Sequence, residues 1–179
     1  LGLGALVGAE GGPDKVAGVL ELYQQAIKTA QPAGGFVNNR NALMTAGFCH
    51  ESKSVVEERG LELLSWYQDQ QRARARLVWQ GVDPATVPPD YQGYYERDQR
   101  LAAGPHPGDP TAQDVLRRGT SFCFGTPDEC IKFLETYEAI GIEEAFFLCA
   151  IGPETHEEVM NTISLFGKYV IPYFNQKEE

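Results

Sequence analysis

The side chains of this sequence with chemical potential are a few paired carboxylates, isolated histidines and one Trp-Tyr pair. Asp128-Glu129 and Glu157-Glu158 could pass for general acid/base pairs. Each pair, however, closes a four-residue motif that starts with threonine: Thr126-Pro127-Asp128-Glu129 and Thr155-His156-Glu157-Glu158. In such a capping box the Thr oxygen accepts from the backbone N–H three residues on, and the Glu carboxylate reaches back. Helix initiation explains these acids, and His156 with them, more simply than catalysis does. His50-Glu51 stands where a strand passes into a helix, a position that suits a pocket or a helix start equally well. Trp66-Tyr67 is read on composition alone as packing.

Other chemistries have no support. The three histidines include no H-x-x-x-H, and Cys49, Cys123, Cys130 and Cys149 form no C-x-x-C, so no metal site is expected. The cysteines stand among apolar neighbours, as free buried thiols do in a reducing compartment. Gly2-x-Gly4-x-x-x-Gly8 is a poor dinucleotide loop, because its glycines fall inside an apolar run and the last gap is too long. No G-x-S-x-G or phosphate-loop pattern occurs.

The elements that would position these residues alternate. An apolar run, Leu1 to Val7, reads as a buried strand. Gly8, Gly11 and Gly12 turn the chain, and Pro13-Asp14 opens a helix with Val16, Val19, Leu20, Tyr23 and Ile27 on one face. Ala42 to Cys49 reads as a second strand, followed by a helix capped by Ser52 or Ser54 that carries Val56, Leu63 and Tyr67. Residues 80 to 119 break the rhythm with six prolines and three tyrosines, and are expected to form a long loop. Ser121 to Phe124 is the third strand. The next helix places Cys130, Phe133, Leu134 and Tyr137 on one face and stops at Gly141. Ala145 to Ile151 is expected to be a strand buried on both faces. A last helix, with Val159, Ile163, Phe166 and Val170, is expected to close at Pro172.

Such alternation implies a parallel sheet. A complete eight-unit barrel takes about 200 to 250 residues, so 179 residues with a long insertion could hold about half of one. The first residue is Leu1, already inside an apolar run, as if the chain were entered partway through a strand. A formal charge of −10, from 15 Lys and Arg against 25 Asp and Glu, argues against a nucleic-acid partner. With no apolar stretch of spanning length and no leader-like N-terminus, a soluble cytoplasmic protein is expected.

Gly125-Thr126-Pro127-Asp128-Glu129-Cys130-Ile131, Gly141-Ile142 and Phe146-Phe147-Leu148, together with the closing stretch His156 to Met160, Leu165-Phe166 and Val170 to Phe174, resemble the bacterial luciferase family of flavin-dependent monooxygenases. Weaker agreement extends through Phe48 to Ser52 and Leu3 to Val7.

The resemblance implies an α/β fold of TIM type. Residues 1 to 179 would be the C-terminal part of one such barrel, about four β/α units, with residues 80 to 119 as an insertion or lid. It also implies reduced FMN and oxygen as reactants, an aldehyde, ketone or similar small substrate, and a separate flavin reductase. The deazaflavin F420, used for hydride transfer, is the alternative cofactor. The catalytic residues would lie in the first half of the barrel, outside this sequence. Flavin contacts are expected at Trp66, Thr45, Gly8 and Ala9, and substrate or lid contacts at Tyr91, Tyr94, Tyr95 and Arg97. The open edges of a half-barrel favour a homo- or hetero-oligomer, and a non-catalytic flavin-binding or interaction subunit is the reading from another class.

Overall fold

The computed structural model describes residues 2–32 and 34–177. Its four strands are all parallel: β1 (Ala5–Gly8), β2 (Asn41–Cys49), β3 (Cys123–Gly125) and β4 (Glu144–Leu148). Helices α1 (Pro13–Ile27), α2 (Lys53–Val78), α5 (Pro127–Glu138) and α6 (His156–Leu165) alternate with them. Leu1, where the first strand was expected to begin, lies outside the described residues. Leu3 and Leu6 are exposed, so the strand is shorter and less buried than its apolar run suggests.

β2 is the hub. It pairs with β1 along Asn41 to Met44, with β3 along Gly47 to Cys49, and with β4 along Ala42 to Ala46. Consecutive sectors of a barrel would pair β3 with β4, and here both pair with β2 instead. With nine residues β2 has two edges to satisfy, while β3 offers only three residues of ladder, so β4 takes the long free edge of β2. Asn41 secures that edge: its buried amide donates to the Gly141 carbonyl at 3.0 Å and accepts from the Glu143 N–H at 3.2 Å.

Side chains alternate across the sheet. Val7, Leu43, Cys49 and Cys123 form one face with Val16 and Leu20 of α1, Phe133 and Tyr137 of α5, and Leu165, Phe166 and Val170 from the last helix. Thr162, fully buried, binds this helix to the sheet by accepting from the Cys49 N–H at 3.1 Å. On the opposite face α2 covers the end of the sheet where Phe48 and Phe124 meet edge-on at 5.9 Å. Leu6, Met44, Phe146 and Leu148 of that face remain exposed. The expected doubly buried strand at Ala145 to Ile151 is therefore corrected. It ends at Leu148, and only one of its faces has helices over it.

Residues 80 to 119 are mostly helical, not a loop. Two 3₁₀ turns (Pro84–Thr86 and Pro89–Tyr91) lead into α3 (Gln92–Ala103) and α4 (Ala112–Arg118). The prolines that suggested irregularity stand at first turns or between helices, where no N–H is needed. α3 packs back on α2 through Asp98, which is buried and accepts from Trp79 Nε1 at 3.0 Å, from Arg97 at 2.9 and 3.1 Å and from Arg74 at 3.4 Å. Nor does Pro172 close the last helix. A π-helical turn (Phe166–Val170) widens the ladder, and α7 (Ile171–Asn175) continues with Pro172 in its first turn. Of the expected stripe, Phe166 and Val170 are buried and Ile163 is exposed.

Candidate functional site

β1 delivers the chain at Gly8 to a turn in which Gly11 (φ 93°) and Gly12 (φ 81°) take left-handed conformations, leaving Glu10 at the C-terminal end of the sheet. Opposite it stands Tyr67 of α2, whose hydroxyl donates to Glu10 Oε1 at 3.2 Å. Burial, and then the Glu10 charge, push the Tyr67 phenol up, so it stays protonated and serves as a donor. This pair forms one end of a cleft of about 390 Å³. Tyr67, Gln68, Gln71 and Arg72 line one wall at helical spacing on α2, and Arg97, Arg100 and Leu101 line the other on α3. Phe122, edge-on to Tyr67 at 5.4 Å, closes the back.

The cleft carries three guanidiniums, each beside a carboxylate. Arg72 pairs with Asp69 at 2.9 Å, Arg97 with Asp98 at 2.9 Å, and Arg100 with Asp109. A planar donor fork whose charge is balanced in this way is set to orient a neutral carbonyl or hydroxyl group through its remaining N–H groups. Three of the thiols are held toward the protonated form. Contact with the Cys130 thiol and then burial push Cys49 up, contact with Cys123 pushes Cys130 up, and burial pushes Cys149 up, so the thiolate is disfavoured at all three. All four cysteines are free. Among the described residues no three His, Cys, Asp or Glu gather as metal ligands, and no helix is long and apolar enough to cross a membrane.

Of the residues expected from the sequence, the cleft takes in Arg97, with Gly8 and Ala9 just upstream of Glu10. Gly8 is exposed, with open space where a Cβ would stand, whereas Ala9 is buried and its carbonyl accepts from the Tyr137 hydroxyl at 3.4 Å. Thr45 is expected in the C-terminal part of its strand, Thr45 to Cys49, and β2 does end at Cys49. Thr45 itself is buried in mid-strand and its hydroxyl is spent on the Ser121 carbonyl at 3.1 Å. Trp66 is one residue, or about 100° of helix, away from Tyr67. It faces the turn after β4, with its Cε3 3.0 Å from where a Cβ on Gly152 would be.

The tyrosines of the insertion divide. Tyr95 packs edge-on against Trp79 at 5.3 Å and so belongs to the α2–α3 interface. Tyr91 and Tyr94 are exposed, 6.2 Å apart, with the Arg97 guanidinium 5.4 Å from the Tyr94 ring. His50 serves the helix start, its Nδ1 accepting from the Ser52 N–H at 2.9 Å, and His156 is exposed in the first turn of α6. Gln71, Arg72 and Arg100 also line the cleft, and their spacing in the sequence carries a signal for it. Residues 67, 68, 71 and 72, and 97, 100 and 101, share helical faces once α2 is extended past Tyr67 and 92–103 is read as helix.

No family model and no curated protein matches the sequence. Solved structures match its fold. The chain is similar to monooxygenase RslO1 from Streptomyces bottropensis, with a TM-score of 0.56 and 20% identity over 97% of this chain and 42% of that one. It is also similar to the coenzyme F420-dependent tetrahydromethanopterin reductase from Methanopyrus kandleri, with a TM-score of 0.51 and 16% identity over 96% of this chain and 45% of that one. The chain thus spans less than half the length of either, and at these identities what is shared is the fold.

Proposed function

We propose that this chain is part of a luciferase-like oxidoreductase, a flavin-dependent monooxygenase in which reduced FMN and oxygen oxidise an aldehyde, ketone or similar small molecule. The observation that carries the proposal is the Glu10–Tyr67 cleft at the C-terminal end of β1, where parallel α/β folds place their sites. Support comes from the fold shared with a monooxygenase and an F420-dependent reductase.

The fit of the cofactor is partial. Gly8 and Trp66 present free surface to a flat ring system and are the residues that would hold it, while Ala9 and Thr45 have none to offer. The cofactor, when bound, supplies the redox chemistry. The chain's own contribution is positioning. Arg72, Arg97 and Arg100 orient a polar group of the substrate, Tyr67 donates a hydrogen bond toward Glu10, and α3 screens the cleft from water. In this proposal residues 80 to 119 form a helical wall, catalytic groups and the rest of the cofactor bed come from the remainder of a larger barrel, and a separate reductase supplies FMNH₂.

The longer protein, given reduced FMN and an aldehyde or ketone panel, is expected to consume oxygen in step with product. If it consumes none yet oxidises or reduces F420, as followed by cofactor absorbance, the deazaflavin alternative replaces the FMN assignment. Inertness toward both cofactors would leave the non-catalytic interaction subunit.

A further inference from the structure

We infer a second ligand site on the far side of Phe122, built to take an anion with a flat apolar body. A cleft of about 630 Å³ opens beside β3 between α2, α4 and α5, within the range of small-molecule pockets. Its floor is aromatic. Phe122 and Phe124 lie 5.8 Å apart, and Phe133 joins them from α5, with Leu116 of α4 alongside.

Its rim is basic in a chain whose formal charge is −10. Arg117 and Arg118 from the end of α4 and Lys132 from α5 line it, and none of them takes part in an ion pair among the described residues. Lys53 also lines the cleft, but it is neutralised by Glu129 at 2.8 Å. The Asp114 carboxylate near the two arginines is spent on the Thr111 cap, accepting from the Thr111 N–H at 3.0 Å. Glu57 is the opposing charge on the rim. Three uncommitted cations against one carboxylate favour an anion, and guanidiniums grip carboxylate or phosphate oxygens in pairs. The three rings favour an aromatic body below it.

This distinguishes the outer cleft from the one at Glu10, where every guanidinium already has a carboxylate partner. Phe122 is the wall common to both. The occupant is an aryl carboxylate or aryl phosphate, and its site needs neither flavin nor the oxidoreductase assignment.

The probe is 1-naphthoate, titrated calorimetrically into the protein, with neutral 1-naphthalenemethanol as the comparison. Saturable binding of naphthoate is expected, weaker by roughly ten-fold or more for the alcohol and for the Arg117→Gln/Arg118→Gln double variant, and weakening as salt is raised. Glu57→Gln is expected to tighten binding, which keeps the test sound should the double variant fold poorly. Arg97→Gln/Arg100→Gln, which alters only the other cleft, is expected to retain the saturable naphthoate binding that Arg117→Gln/Arg118→Gln weakens. No saturable binding, equal affinity for the alcohol, or a loss confined to Arg97→Gln/Arg100→Gln would each overturn the inference.

Discussion

The Tyr67 hydroxyl reaches across from α2 to the carboxylate of Glu10 at 3.2 Å, tying the longest helix to the turn that leaves β1. Its ring is held edge-on by Phe122 at 5.4 Å. Hydroxyl and ring therefore do separable work. Tyr67→Phe is expected to cost about 0.5 to 1 kcal/mol, the net value of one hydrogen bond. Tyr67→Ala should cost about 3 kcal/mol, because it also empties the space beside Phe122. Denaturant unfolding of both variants measures this, and equal losses would show that the ring contributes nothing.

Asp98 anchors the insertion. Burial acts to raise its carboxyl, but Trp79 Nε1–H and Arg97 outweigh that and hold it below the usual carboxylate range. Asp98→Ala would strand these donors and is expected to cost about 2 to 4 kcal/mol. Asp98→Asn keeps an acceptor for Trp79 and should cost less. Because the folded carboxyl is depressed, its stabilisation is present above the unfolded carboxylate range and disappears as acid takes pH down through the folded value. Trp79 emission should accordingly change on acidification in the parent protein, and this dependence should be lost in Asp98→Asn.

Arg59 joins α2 to the start of α6. Its guanidinium donates to Glu158 at 2.7 and 3.0 Å and to the Pro153 carbonyl at 3.3 Å. The side-chain bond to Arg59, then the Thr155 N–H, holds the Glu158 carboxyl at about 2 instead of 4.5. Stability from this pair is therefore complete above pH 4.5 and drains away toward pH 2. Arg59→Gln is expected to lower stability by about 1 to 2 kcal/mol at neutral pH. The gap between variant and parent should narrow in acid, and a gap independent of pH would mean that the charge pair is not its source.

Gly152 leaves room for the Trp66 indole, whose Cε3 would stand 3.0 Å from an added Cβ. Gly152→Val should push the indole outward and cost about 1 to 2 kcal/mol. Trp66→Leu in the same chain is expected to recover most of that loss. Indole emission and the melting temperature report the two effects. Failure of the second substitution to rescue would place the clash elsewhere.

The sequence by itself determined what is local. The boxes at Thr126 and Thr155 mark the starts of α5 and α6, because a cap satisfies N–H groups within four residues. The apolar spacing of Val16 and Leu20, and of Cys130, Phe133 and Tyr137, marks faces that are indeed buried. The strand-helix alternation was legible, and with it the parallel sheet.

Only the tertiary structure decided which strands are neighbours, since the edge of β2 that receives β4 is occupied by residues about a hundred positions away, as in the Asn41 contact with Gly141. It decided too that Thr45 is spent inside the sheet and that the prolines of residues 80 to 119 flank helices. Above all it set Arg97 and Arg100 of α3 facing Tyr67 and Arg72 of α2. Periodicity gives each helix a face, but the partner of that face is set by packing.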